Sequence, residues 1–168
     1  GFTKLTETMS PQNLIDLLHQ CFCKFDSIVA KHGVEKIKTI GDAYMCVAGA
    51  TGDQEDHAKR LCMAALEMIG YLNKTNQTRE KLRMPTWDMR IGIHSGPVIA
   101  GVVGENKFTF DVWGDAVNIA ALMEQNSERG RVNVSESTQH RVNQQFQLED
   151  RGLVHTGKKG DLRMFFLS

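Results

Sequence analysis

Net charge is the first thing this chain lacks: 20 basic residues stand against 20 acidic ones. A field of one sign is therefore missing, which excludes long-range attraction to nucleic acid or to an anionic membrane surface. Any phosphate binding must come from small local clusters. No apolar run approaches the ~20 residues needed to cross a bilayer, and the N-terminus has no signal-peptide pattern. The chain as it stands is expected to be soluble, with no direct membrane contact. No repeat, linker or low-complexity segment interrupts it. One domain, 1–168, is expected, large enough to bury roughly two thirds of its unfolded surface. The cysteines at 21, 23, 46 and 62 show no zinc-like spacing. Cys21 and Cys23 sit two apart in a helical pattern and point in different directions, which favours buried reduced thiols. The histidines at 19, 32, 57, 94, 140 and 155 are scattered with no pair at ligand spacing, so a dedicated histidine metal site is not expected.

What is present begins with Lys36-Ile37-Lys38-Thr39-Ile40-Gly41-Asp42-Ala43-Tyr44-Met45, a cation and a carboxylate around a tight strand reversal. Regular alternation over Val34 to Ile40 puts Val34, Lys36, Lys38 and Ile40 on one face and Glu35, Ile37 and Thr39 on the other. Gly41-Asp42 reads as a two-residue turn with glycine first, and Ala43 to Ala48 as the returning strand. The tip carries Asp42 and the ascending strand carries Lys38, an arrangement that can serve a nucleotide. A second segment, Phe108 to Ala121, runs from a short strand straight into a helix. Asp115 is its expected N-cap. Asn118 follows in the first turn, where free N–H groups and the positive end of the helix dipole can meet phosphate or ribose oxygens.

Elsewhere helices alternate with strands. Ser10-Pro11 is an N-cap and N1 pair, and Leu14, Leu17, Leu18, Cys21, Phe22, Phe25, Ile28 and Val29 recur at helical spacing until Gly33. A second helix is expected from Glu55 to Leu72, and the polar stretch from Lys74 to Pro85 as a loop. Strands fit Asp88 to Ile93, Val98 to Val103, Phe108 to Val112 and Arg131 to Val134. A helix from Glu136 to Gln145 and a hairpin from Leu148 to Leu167 complete an α+β pattern.

Together with Gly1-Phe2-Thr3, Arg90-Ile91-Gly92-Ile93-His94-Ser95-Gly96 and Gly160-Asp161-Leu162, these segments resemble the catalytic domain of class III nucleotidyl cyclases, in order along nearly the whole chain. The purine-facing residues favour an adenylyl cyclase. The resemblance implies a ferredoxin-like β-α-β-β-α-β core with a C-terminal extension, completed by a strand upstream of Gly1. The chain begins without methionine and inside the motif, so it is expected to be a fragment of a longer protein. The implied reaction converts ATP to 3′,5′-cyclic AMP and pyrophosphate, with two Mg²⁺ or Mn²⁺ ions gathering the phosphates. It implies intracellular signalling in the cytoplasm, or at the cytoplasmic face of a membrane-attached parent protein.

The resemblance also assigns residues. Asp42 matches one of two metal-holding aspartates, the other preceding Gly1; on the hairpin alone it would be an ordinary turn aspartate. Lys38, which only donates, and Asp111, which only accepts, complement N1 and N6 of adenine. Guanine presents the opposite pattern, and similar guanylyl cyclases carry an acidic residue and a cysteine at these positions. Asn118 is the expected catalytic residue, at the ribose and transition state; its bland reading is a helix-start asparagine bonded to its own backbone. Arg90 matches a contact to the terminal phosphates, against the alternative of an exposed strand charge. Phe2 and Thr3 match a backbone phosphate cradle, Gly41 joins them at the hairpin turn, and Lys158 stands in the phosphate-binding loop. His94 is expected to be structural.

Two positions depart from the family pattern. Leu122 stands where an arginine usually stabilises the pentavalent phosphate, with Arg129 or Arg131 as substitutes. Gly157 stands at the phosphate-binding lysine, with Lys158 and Lys159 just after it. Because family sites combine metal ligands from one protomer with base and ribose contacts from the other, a chain holding both sets is expected to be a homodimer. The alternatives are a guanylyl cyclase and a catalytically silent cyclase-fold domain for regulation or dimerisation.

Overall fold

The computed structural model describes residues 5, 9–52, 54–106, 108–157 and 159–168. The first long helix, α1 (Pro11–Lys31), starts where the sequence places it: the Ser10 hydroxyl accepts from the Asn13 amide at 3.3 Å, and proline occupies the first turn. It ends at His32, followed by Gly33 at φ +64°, whose carbonyl accepts from Arg60 at 2.9 Å. Its inner face buries Cys21, Phe25, Ile28 and Val29.

Strands β1 (Glu35–Ile40) and β2 (Ala43–Val47) form an antiparallel hairpin closed by the Ile40–Ala43 pair, with Gly41 at φ +61°. The glycine-first turn is thus as read from the sequence. Strict alternation along β1 is not, because the register shifts between Lys36 and Lys38. Lys36 turns to Asp26 of α1, to which Tyr44 also donates at 2.7 Å. Lys38 turns elsewhere. A bulge of this kind re-aims one side chain without ending the pairing.

Helix α2 (His57–Lys81) is longer than expected, taking in most of the stretch from Lys74 to Pro85. That stretch has no apolar periodicity because its outer turns meet solvent. Arg79 and Lys81 suit the C-terminal end of the dipole, and Thr75 and Thr78 satisfy their hydroxyls within the helix on the carbonyls of Tyr71 and Lys74. The following segment is strapped to it by Asn76, which donates to the Trp87 carbonyl at 2.7 Å, and by Arg79, which donates to the Pro85 carbonyl and stacks on the Trp87 ring.

The remaining order is β3 (Ile91–Ile93), β4 (Ile99–Val103), β5 (Thr109–Trp113), α3 (Asp115–Gln125), β6 (Val132–Ser135), α4 (Glu136–Val142), β7 (Leu148–His155) and β8 (Asp161–Leu167). Strands β3, β6, β8 and β7 make one sheet in that order, with β3 parallel to β6 and the other pairs antiparallel. The β4–β5 hairpin stands apart as its own ribbon. Chain order and class are the expected α+β arrangement.

Helix α2 serves two cores. Ala58, Cys62 and Ala65 pack on Ile93, Val132, Val134 and Phe165, while Ala64 and Met68 pack with Phe25, Ile28 and Val34. Between β2 and β3, which do not pair, runs a cleft of about 1760 Å³ floored by residues of α1 and α2, among them Phe22, Phe25 and Met68. The cysteines divide. Cys21 and Cys62 are buried and Cys46 is partly so, and burial pushes their thiols up to about 11, 12 and 12 respectively. Cys23 is exposed beside His19, contrary to the expectation of four buried thiols, because it lies on the outer face of α1.

Candidate active site

The bulge in β1 aims Lys38 across to β5, where its ammonium meets the Asp111 carboxylate at 2.5 Å. The second Asp111 oxygen accepts from the Val112 amide at 2.8 Å. These two contacts, the lysine first, hold the carboxyl below the usual aspartate range. Asp111 is the more enclosed partner, with 16% of its side chain exposed against 38% for Lys38. The pair therefore presents a donor and an acceptor side by side at a half-open surface.

Helix α3 starts directly after β5. Gly114, at φ +138°, occupies the N-cap position, so Asp115 is not the cap but the first helical residue. Its carboxylate turns outward to Lys159 at 2.6 Å instead of back to the backbone. Lys159 principally, with help from Asn118, holds Asp115 below its ordinary range. Asn118 is exposed one turn into the helix. The lysine from the β7–β8 connection thus arrives at the first turn of α3, a contact with Asp115 that chain order does not reveal.

What seats α3 is Gly92. A Cβ there would lie 2.0 Å from the Glu124 amide and 2.6 Å from the Ala120 carbonyl, so the helix backbone rests directly on β3. On the same side Arg90 is paired with Glu124 at 2.9 Å. It is not a bare cation awaiting phosphate, and a ligand would have to compete with that carboxylate.

Asp42 is exposed at the hairpin tip. It lines the cleft between β2 and β3 along with Arg90, whereas Lys38, Asp111 and Asn118 do not line it. Of the expected residues, Lys38 pairs with Asp111, Asn118 lies in the first turn of α3 near Asp115, and Asp42 stands at the hairpin tip beside the cleft. Asp42 supplies a hard oxygen donor of the kind Mg²⁺ or Mn²⁺ prefers. It is one carboxylate, and no cluster of three or more metal-type ligands occurs among the described residues. Phe2, Thr3 and Lys158 lie outside the described residues.

The departures are legible in three dimensions. Leu122 is buried at 9% exposure, and its carbonyl accepts from Asn126. Arg131 is spent on Glu149 and stacks on Phe166, and Arg129 stands 4.0 Å from Asp88. His94 bonds through Nδ1 to the Ser135 hydroxyl at 2.8 Å.

Known proteins are similar to this chain in sequence and in shape. The family described as "Adenylate and Guanylate cyclase catalytic domain" matches residues 1–168. An "Adenylate cyclase" of Mycobacterium tuberculosis is 38% identical over 99% of this chain and 37% of its own length. A "Guanylyl cyclase, membrane" of Dictyostelium discoideum is 40% identical over 99% of this chain and 11% of its own. The chain thus spans well under half the length of these relatives. The crystal structure of the guanylate cyclase domain of RhGC from Catenaria anguillulae, in complex with GTP, superposes with a TM-score of 0.90 at 32% identity, covering all of this chain and 90% of that one. With the family matched end to end and the fold shared, the chain belongs to the adenylate and guanylate cyclase catalytic domain family.

Proposed function

We propose that this nucleotidyl cyclase domain is an adenylate cyclase, converting ATP to 3′,5′-cyclic AMP and pyrophosphate. The observation that carries the choice of base is the Lys38–Asp111 pair, a donor and an acceptor held together by the β1 bulge. Adenine offers N1 as acceptor and the N6 amino group as donor, so the two side chains can exchange their mutual contact for one base. Guanine would set its own donor against the lysine and its acceptor against the carboxylate, leaving like groups facing.

In the reaction, the bond from the ribose O3′ to the α-phosphorus forms as the bond from that phosphorus to pyrophosphate breaks, and the 3′ proton leaves to water. Asn118 orients the ribose from the first turn of α3. Phe2, Thr3 and Gly41 border the phosphates, and Lys158 and Arg90 address them. Arg90 does so only after releasing Glu124. Asp42 would hold Mg²⁺ or Mn²⁺, two ions serving each site, and bound metal would neutralise charge gathering on the phosphates.

Asp42, matched to a metal ligand, and Lys38, Asp111 and Asn118, matched to base and ribose contacts, stand on one chain. Because sites of the family draw these two sets from different protomers, the combination supports a homodimer in which each protomer lends one set to each site. Ile99, Val102, Val103, Phe108 and Trp113 expose apolar surface on the β4–β5 ribbon and beside it, next to Asp111. A second copy of the chain would cover it. A strand from upstream of Gly1, laid in the cleft between β2 and β3, would complete the ferredoxin-like core, leaving 1–168 as one domain. No helix among the described residues is long and apolar enough to cross a membrane; a place in the cytoplasm, or on the cytoplasmic face of a larger protein, rests on the family resemblance.

Two observations favour other readings. Relatives are named for both nucleotides, which keeps guanylate cyclase as the second reading. The buried Leu122, with Gly157, favours a silent domain. Competition decides the base: unlabelled ATP should suppress turnover of labelled ATP far better than GTP does, and equal suppression would remove the assignment of Lys38 and Asp111.

A further inference from the structure

We infer that His94 is a positioning residue for the first turn of α3, its protonation acting through Asp115 on Asn118 and Lys159. This rests on the cyclase reading of Asn118.

The geometry is a hydroxyl network that accepts either protonation state. The Ser137 hydroxyl donates to the Ser95 carbonyl at 2.8 Å, and the Thr138 hydroxyl donates to Ser95 Oγ at 3.1 Å. Those two protons are committed. Ser135 Oγ lies 2.8 Å from His94 Nδ1, 3.0 Å from Ser137 Oγ and 3.2 Å from Thr138 Oγ1. Its proton can serve any of them. With His94 neutral, Ser135 donates to a bare Nδ1. With His94 charged, Nδ1–H donates to Ser135, or to Ser137 Oγ at 3.2 Å, and the Ser135 proton swings to Thr138 or Ser137. Neither state needs a heavy atom of the network to move, and each keeps Nδ1 and the hydroxyls around it bonded.

The other edge of the ring faces α3. A Cβ on Gly96 would lie 2.8 Å from His94 Nε2 and 3.2 Å from the Ala116 Cβ, so the imidazole, the Gly96 backbone and the start of α3 share one small space. Any charge on His94 is therefore placed against the helix N-terminus, whose dipole opposes it. From α3 the group facing it is Asp115, which favours the charge; from the β7–β8 connection it is Lys159, already paired with Asp115 at 2.6 Å; from β6 and α4 its contacts among the described residues are the Ser135 and Ser137 hydroxyls. Burial, outweighing Asp115, keeps His94 below its ordinary value. Neutral His94 leaves Asp115 to Lys159 and Asn118. A charge on His94 acts on the same carboxylate through space, without an ion pair, and loosens both.

The test follows kcat at saturating ATP against pH, alongside NMR titration of the His94 ring and of the Asn118 side-chain amide. The wild-type profile should show an acid limb below pH 6.5, falling about tenfold on the scale typical of coupled sites. Its midpoint should match that of the His94 ring, and the Asn118 amide should shift with the same midpoint. The limb should vanish in His94→Asn. In Asp115→Asn the His94 midpoint should move down, because the favourable charge is gone; this reads the coupling even if His94→Asn fails to fold. An acid limb that persists in folded His94→Asn, an Asn118 amide indifferent to the His94 titration, or an unmoved midpoint in Asp115→Asn would overturn the inference. Absence of product at every pH would instead defeat the cyclase reading, and the NMR titrations would still decide the coupling.

Discussion

Lys38 and Asp111 are 73 residues apart in the chain, and their charged atoms meet at 2.5 Å. A bulge in one hairpin and the register of another bring them together: Asp111 stands opposite Gly101, where no side chain from β4 intrudes. Because both groups are partly open to solvent, the pair contributes little to stability. The consequence proposed for it is recognition of the base.

Exchanging the two groups should therefore exchange the base. Lys38→Glu with Asp111→Cys should lower kcat/KM for ATP about 10²-fold or more and move preference toward GTP, since a site built to bond polar groups rejects a mismatched partner strongly. Parallel assays with both nucleotides check this. An unaltered ATP:GTP ratio would remove these residues from base selection.

Acid should release the same pair. Asp111 has a folded pKa below its unfolded value, so its contribution to stability is present above about pH 4 and is lost as pH falls through the folded value. The difference in stability between wild type and Asp111→Asn should be constant near neutrality and shrink toward zero below pH 4. Denaturant titrations at several pH values would show it. A difference that grows on acidification would have the wrong sign.

Gly92→Ala should be among the most damaging single-atom additions. The new Cβ would fall 2.0 Å from the Glu124 amide, and α3 must lift from β3, which should cost about 3 kcal/mol. Asn118 moves with the helix, so turnover should fall along with the melting temperature. Gly130→Ala offers a contrast: no atom lies within 4 Å of the added carbon, and the loss there comes only from its positive φ.

Replacing Leu122 by arginine tests the silent reading. Leu122 is nearly buried on α3, and a guanidinium that reaches the phosphates from that helix should raise kcat, by analogy with arginines worth about 10³–10⁵ elsewhere in phosphoryl transfer. Single-turnover rates, paired with a melting curve, separate a catalytic gain from a folding loss. An unchanged rate in a folded dimer would point to other defects.

Much of this was legible in sequence because the signals were local. Ser10-Pro11, the glycine-first turn and the apolar spacing of α1 each specify their element through neighbours a few residues away. Lys74 to Lys81 read as a loop because periodicity reports burial, and a helix that projects into solvent has none to report. Asp115 read as a cap because an aspartate before a helix usually is one. Only the return of the chain at Lys159 gives its carboxylate a different partner. The pairing of Arg90 with Glu124, and the hydroxyls around His94, are likewise contacts across distant segments that no spacing encodes.

The most direct measurement is cyclic nucleotide formation from ATP and from GTP, with Mg²⁺ or Mn²⁺, over a range of protein concentrations, on a chain extended upstream of Gly1. Metal-dependent cyclic AMP whose specific rate climbs with concentration is the predicted result, because in the proposed homodimer each site draws on two protomers. No product from either nucleotide, in protein that is folded and dimeric, would contradict it.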